Sequence, residues 1–292
     1  MSPRASLLRS VFHLCRIGTW FSPAADVLAG SAIAQVALGA PVVRAMLAST
    51  LVYGAGMVWN DVADRRIDAE HRPERPLPSG ALSLRFAVLL GVALLAGGLW
   101  ASPCRGHHAW ILAFVLVYDF LGKRIGWLGA VNMGVLRAMN LGTGLALAST
   151  TAPLPDAARR ALLIAALCYG VYIVAVTILG IFEDARSVPA RAVATVQAAP
   201  PIVAFAGVAV VQDGWWPATV IAALPCLWFL RRNARAREWP QARIRESMTY
   251  LLLGTMLYTA LLTLAAGRWP EAVGIAAAIP AARWISRRIA LT

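Results

Sequence analysis

The sequence predicts an all-α integral membrane protein, a bundle of nine transmembrane helices with a further short hydrophobic segment and a polar site facing the cytoplasm. Composition is the first reason: of 292 residues, 59% are hydrophobic and only 14% charged, where a soluble domain carries roughly 25% charged residues. The second is patterning. Charges gather in short clusters between continuous apolar stretches, and about 20 apolar residues cross a hydrocarbon layer of about 30 Å as a helix. The third is the uneven placement of the basic residues, which sets the orientation.

In chain order the apolar stretches fall near 24–40, 43–60, 82–101, 108–121, 128–148, 160–182, 190–211, 215–230 and 247–267, with a shorter one near 271–283. Their continuous hydrophobicity excludes the alternating pattern of a closed β-barrel. Residues 1–292 therefore read as one helical membrane domain. Ahead of the first span, residues 1–16 mix Arg4, Arg9, His13 and Arg16 with Leu7, Leu8, Val11, Phe12 and Leu14. That mixture suits an interfacial amphipathic helix, and no secretory cleavage pattern follows it.

With the N-terminus in the cytoplasm, 21 Lys and Arg residues fall in cytoplasmic segments and 5 (Arg44, Arg105, Arg159, Arg160, Arg268) on the other side, leaving Arg137 inside a helix. This bias explains the net charge of +13 through the positive-inside rule, so nucleic acid is not an implied partner. The lipid bilayer is. Cys15, Cys104, Cys168 and Cys226 form no CxxC pair and read as free thiols. His107 and His108 read as a short loop remote from the acidic residues. Trp215, Trp216, Trp239 and Trp269 fall near span ends, as interfacial anchors do, and Gly54, Gly56, Gly142 and Gly144 read as sites of close helix approach.

The informative segment follows the second span: NDVADRRIDAEHRPERPLPSG, with 61–81 an Asp/Arg-rich cytoplasmic loop. Asp61, Asp64 and Asp68 are spaced three and four apart, so on a helix continuing from the span they share a face with Asn60 beside them. Like charges about 5 Å apart repel by about 3 kcal/mol at an effective dielectric near 20. Something positive should therefore sit among them. Hard oxygen donors select Mg²⁺ or Ca²⁺, and Mg²⁺ commonly bridges carboxylates to substrate phosphates.

The pattern NDxxDxxxD, met by Asn60, Asp61, Asp64 and Asp68, and the following RPERPLPSG resemble the UbiA superfamily of membrane prenyltransferases. So do YDFLGKR (Tyr118–Arg124) and the opening RIGTWFSPAADVLAG, and the likeness runs over roughly residues 16–267. The run LGKRIGWLGAVNMGVLRAMNLGTG is similar to a divergent bacterial branch, the EboC-like proteins. The resemblance implies a Mg²⁺-dependent enzyme of the bacterial inner membrane with its active site facing the cytoplasm. Its substrates would be a prenyl diphosphate and a small-molecule acceptor, aromatic or another polar nucleophile. It implies catalytic roles for Asp61, Asp64 and Lys123, and metal or diphosphate contact for Asn60, Asp61, Asp64 and Asp68. Arg72, Lys123 and Arg124 become candidates for phosphate contact, because all three fall at the cytoplasmic end. Lys123 is the only lysine in the chain.

The family's second acidic motif, DxxxD, corresponds here to ILGIFEDARSVPAR, where position 188 is Val188 and the second aspartate is missing. Adjacent helical residues point about 100° apart, so only one of Glu183 and Asp184 is expected to complete the metal shell; Asp184 is the nearer in type to the family's first position and to the helix end. Arg137, with Asn140 one turn on, falls inside a span, where an ionisable group merits a functional reading. The reading adopted is substrate binding by Arg137 and Asn140; the structural alternative is a polar pair joining helices. Asp26 lies early in the first span.

Two other functions compete with prenyl transfer: a non-catalytic isoprenoid-diphosphate-binding protein, suggested by the altered second motif, and a lipid or metabolite transporter. No inverted repeat or broken pair of spans supports the transporter. The ordered run that marks CDP-alcohol phosphotransferases, an Asp-Gly pair leading through an Ala-Arg pair to further spaced aspartates, is lacking too.

Overall fold

The structure is a computed structural model that describes residues 3–150, 154–185, 188–211, 216–236 and 238–290. Among these it forms eleven helices: α1 (Pro3–Leu14), α2 (Phe21–Ile33), α3 (Ala40–His71), α4 (Leu84–Ala101), α5 (Arg105–Phe120), α6 (Gly126–Ala148), α7 (Asp156–Asp184), α8 (Ala190–Val210), α9 (Pro217–Ala234), α10 (Gln241–Ala265) and α11 (Trp269–Ala290). Two 3-10 turns, Ile17–Thr19 and Gly122–Arg124, lie between α1 and α2 and between α5 and α6. By length and composition α3, α4, α7, α8 and α10 are long and apolar enough to cross a membrane. The outward surface is apolar as well: Leu89, Trp100, Trp110 and Leu167 are each more than 60% exposed, which favours hydrocarbon rather than water around the bundle.

Several boundaries differ from the sequence reading. The first span is a helix of 13 residues, ending at Ile33 rather than near position 40, because Gln35 turns through a left-handed φ of 56°. The second span, α3, is 32 residues long and runs unbroken through the acidic motif to His71, so only residues 72–81 of the expected 61–81 loop are non-helical. The expected short segment near 271–283 belongs to a 22-residue helix, α11. His107 and His108 are in the first turn of α5, not in a loop. His107 donates to the Met139 carbonyl at 2.9 Å, and the fully buried His108 ring bonds Ser49 at 3.0 Å and Ser102 at 2.8 Å. These bonds tie α5 to α3, α6 and the end of α4.

The main core lies where α7, α8 and α10 meet, with Tyr169, Tyr172 and Tyr258 at its centre. Tyr172 and Tyr258 stack at 6.2 Å, and their hydroxyls donate to the carbonyls of Leu251 and Ala165 across the α7–α10 contact. Helices α2 and α6 cross closely: a Cβ at Gly144 would collide with the backbone at Gly30. Gly142, by contrast, faces open space and permits no such approach. Gly18, in the turn before α2, packs against Ser286 of α11 with no room for a Cβ. Trp216 and Trp269 are 69% and 66% exposed, as interfacial anchors should be; Trp215 lies outside the described residues.

Candidate active site

Three elements build the site: the last three turns of α3, the end of α5 with the turn after it, and the residues around Arg16. At about 100° per residue, Asp68 returns to within about 20° of Asp61, while Asp64 sits about 60° around the helix. That offset separates the carboxylates into two groups. Asp61 and Asp68 share Arg75, whose Nη1 lies 3.4 Å from Asp61 Oδ1 and 2.7 Å from Asp68 Oδ2. Asp64 instead faces the turn after α5, where Lys123 Nζ lies 2.7 Å from its Oδ1. The positive charge that mutual repulsion demands is thus supplied by the chain itself.

Arg75 reaches back because the chain turns sharply after α3: Arg72 N donates to the Asp68 carbonyl, and Arg75 N to that of Arg72. Arg16 adds a second cation, its Nη2 3.5 Å from Asp61 Oδ1. Its backbone is left-handed, with φ 48°, a conformation costing a non-glycine residue about 1 kcal/mol or more. Asp61 and Asp68 are 5% and 4% exposed, so loss of these partners would leave costly buried charge.

Asp119, on the last turn of α5, completes the cluster. It is 3% exposed; its Oδ1 accepts from Asn60 Nδ2 at 3.2 Å, and its Oδ2 is buried with no hydrogen-bond partner. Lys123 Nζ also reaches the Asn60 carbonyl at 3.5 Å. Sequence reasoning missed Asp119, Arg75 and Arg16 as site residues. Asp119 stood inside the quoted YDFLGKR run, and its apolar neighbours on α5 were the signal that it is buried. Arg72 and Arg124, proposed for phosphate contact, are exposed, and neither side chain has an ion pair among the described residues. Glu183 is held by Arg245 Nε at 2.6 Å. The side chain of Asp184 lies outside the described residues.

Arg137 and Asn140 form a separate buried network. Arg137 Nη1 lies 3.1 Å from Asp26 Oδ2, and Nη2 donates to Asp26, Ser22 and Tyr169. Asn140 donates to Asp26 Oδ2 at 2.8 Å and to the Pro23 carbonyl at 2.9 Å, while Tyr169 donates to Asp26 Oδ1 at 2.9 Å. Asp26, fully buried, thereby joins α2 to α6 and α7. These contacts make the network a tie between helices, yet Arg137 and Asn140 also border a cavity of about 70 Å³ whose wall includes Tyr53, Tyr118 and Asp119. A larger, apolar cavity of about 290 Å³, bordered by Tyr172, Phe205, Trp228 and Leu257, includes no carboxylate in its wall. The chemistry points to the smaller one.

Asn60, Asp64 and Asp119 offer hard oxygens, one of them unpartnered, and these suit a hard divalent cation. Among the described residues no three His, Cys, Asp or Glu side chains converge as a metal cage. Mg²⁺ does not need one, since it is usually bound through one or two carboxylates, waters and substrate phosphates.

Solved structures share this architecture, and curated relatives share part of the sequence. A bacteriochlorophyll synthase 34 kDa chain from Chloroflexus aurantiacus is 37% identical over 139 residues, covering 43% of this chain and 44% of that protein. A digeranylgeranylglyceryl phosphate synthase from Metallosphaera sedula is 34% identical over 104 residues, 34% of this chain and 37% of the relative. The chain thus spans less than half the length of these relatives. Among solved structures, a UbiA homologue from Aeropyrum pernix superposes with a TM-score of 0.64 at 20% identity, covering 84% of this chain and 97% of that one. A UbiA homologue from Archaeoglobus fulgidus, bound to DMAPP and Mg²⁺, gives a TM-score of 0.59 at 15% identity, over 88% and 99%. The UbiA prenyltransferase family model matches residues 25–243, and the chain belongs to that family.

Proposed function

We propose that the protein transfers an isoprenoid group from a prenyl diphosphate to a small-molecule acceptor, with Mg²⁺ as cofactor. The site would face the cytoplasm from a bacterial inner membrane. One observation carries the reading: the NDxxDxxxD carboxylates and the cations Arg16, Arg75 and Lys123 gather at one end of the bundle, with Asp119 of the same cluster in the wall of an internal cavity. The names of the relatives and the DMAPP and Mg²⁺ bound to the A. fulgidus homologue support it.

In this reaction the allylic carbon–oxygen bond breaks and its electron pair leaves with the diphosphate. The allylic carbon bonds the acceptor's nucleophilic atom, and the acceptor releases a proton. Bound Mg²⁺ would neutralise charge on the leaving group, held by Asn60, Asp61, Asp64 and Asp68, with Asp184 a further candidate. Lys123 and Arg75 would donate to the diphosphate oxygens, and one such preorganised donor is worth about 10²–10³ in rate. Arg72 and Arg124, both exposed, would meet the diphosphate from the solvent side. Arg137 and Asn140 would bound the space taken by the acceptor or prenyl group.

The altered second acidic motif favours one rival, binding of isoprenoid diphosphate without turnover. Both readings are tested by calorimetry with a non-reactive prenyl thiodiphosphate and by diphosphate release. D61N and D64N should abolish Mg²⁺-dependent binding while the protein stays folded. Unchanged wild-type affinity on chelation of metal would reject the role given to the carboxylates. Tight binding without release across a panel of prenyl diphosphates and acceptors would favour the non-catalytic reading.

A further inference from the structure

We infer that Asp119 is a ligand of the site's divalent cation, supplying from α5 an oxygen that the shortened motif at the end of α7 does not. This rests on the prenyl-transfer reading above. At the end of α7 Val188 stands where a second aspartate would be and Glu183 is bound to Arg245 on α10, which leaves Asp184 as the candidate from that helix.

Across the site, Asp119 is in the opposite condition. Every other buried carboxylate among the described residues has a cation beside it: Asp26 has Arg137, Asp61 has Arg16 and Arg75, and Asp68 has Arg75. Asp119 has no ion pair in contact: Oδ1 takes the Asn60 amide, the buried Oδ2 has no hydrogen-bond partner, and Lys123 and Arg16 act on it only from a distance. A carboxylate oxygen buried without a partner costs several kcal/mol, so this arrangement suits a group whose partner arrives with the ligand.

The neighbouring atoms define what that partner is. The Asn60 amide nitrogen is committed to Asp119, which leaves the Asn60 side-chain oxygen as a second hard donor on the same side chain. Asp64 contributes a third. The Lys123 ammonium, bonded to Asp64 at 2.7 Å and to the backbone carbonyl of Asn60 at 3.5 Å, marks the spot as favourable to positive charge. An ammonium that can move to a phosphate oxygen would leave these oxygens to a cation of the Mg²⁺ type. The donors are oxygens throughout, which disfavours a soft metal.

D119N separates this role from simple support of Asn60, because an asparagine carbonyl can still accept from the Asn60 amide but lacks the anionic oxygen. The assay titrates Mn²⁺ into the full-length protein in detergent, saturated with geranyl S-thiolodiphosphate, and reads free ion by its paramagnetic resonance signal. D119N should bind Mn²⁺ at least tenfold more weakly, while its melting temperature without ligand holds or rises. E183Q should bind as wild type does. A D119N affinity within twofold of wild type overturns the inference and leaves the prenyl-transfer reading standing. Absence of Mn²⁺ binding by the wild type removes both. If D119N does not fold, D119C decides: its thiolate should give a cadmium charge-transfer absorption beyond that of wild type, and no added absorption overturns the assignment.

Discussion

Asp26→Asn tests whether the polar network inside the bundle holds the helices together. Asp26 is fully buried and accepts from Arg137, Asn140 and Tyr169. Asparagine keeps one acceptor oxygen but turns an NH₂ toward a neighbour that is itself a donor. The Arg137 guanidinium, with a side chain 11% exposed, loses its counter-charge and is left with neutral partners. Removing one partner of a buried pair costs about 3–5 kcal/mol. At roughly 2–4 °C per kcal/mol, the melting temperature should fall on the order of 10 °C. D26L/R137M, which deletes both charges, should lose less than D26N alone, since an apolar replacement leaves no orphan. The assay is thermal unfolding in detergent followed by tryptophan fluorescence, with homogeneity checked by size exclusion. A D26N melting point within about 2 °C of wild type would refute the reasoning, being under the roughly 1 kcal/mol that such a shift represents. Arg137 would then be free for the substrate role that its position first suggested.

Three further outcomes are expected. Lys123→Gln should slow single-turnover diphosphate release by about 10²-fold, and Lys123→Arg should restore it only in part, because a planar fork does not replace a compact ammonium. Asp184→Ala should slow release by about 10²-fold, or about 2.7 kcal/mol, whereas Glu183→Ala, with Glu183 already held by Arg245, should stay near wild type; near-wild-type rates in both would remove α7 from the site. In a cysteine-free background, a cysteine at position 65 should be labelled by impermeant reagents only from the cytoplasmic side, and labelling only from outside would invert the proposed orientation.

The bundle was legible because a span must be apolar along its whole length, a property that one sequence displays directly. It became less legible where polar residues enter a helix. Pro280, Arg283, Arg287 and Arg288 interrupt the apolar run of α11, so a 22-residue helix read as a short segment. The acidic motif was legible because its spacing matches one helix face. Its partners were not, since they depend on how the chain folds back. Arg72 and Arg75 look equivalent in sequence, and only the turn after His71 decides that Arg75 meets Asp61 and Asp68. Asp119 needed α3 beside it before its burial meant anything. His107 and His108 read as a loop because Cys104 and Pro103 precede them, although the helix had already begun at Arg105.

The contact between Gly18 and Ser286 ties the two extremes of the chain into a closed ring. Arg16, two residues before Gly18, sits on Asp61, so a segment far from the acidic motif in sequence braces one of its charges. During synthesis all of the carboxylates of the site precede α11, yet the turn that carries Arg16 lacks its support until α11 docks. Shortening the chain within α11 should therefore disturb Asp61 before it disturbs the core of α7, α8 and α10. Damage at the end of the chain would look, from the outside, like damage at the motif.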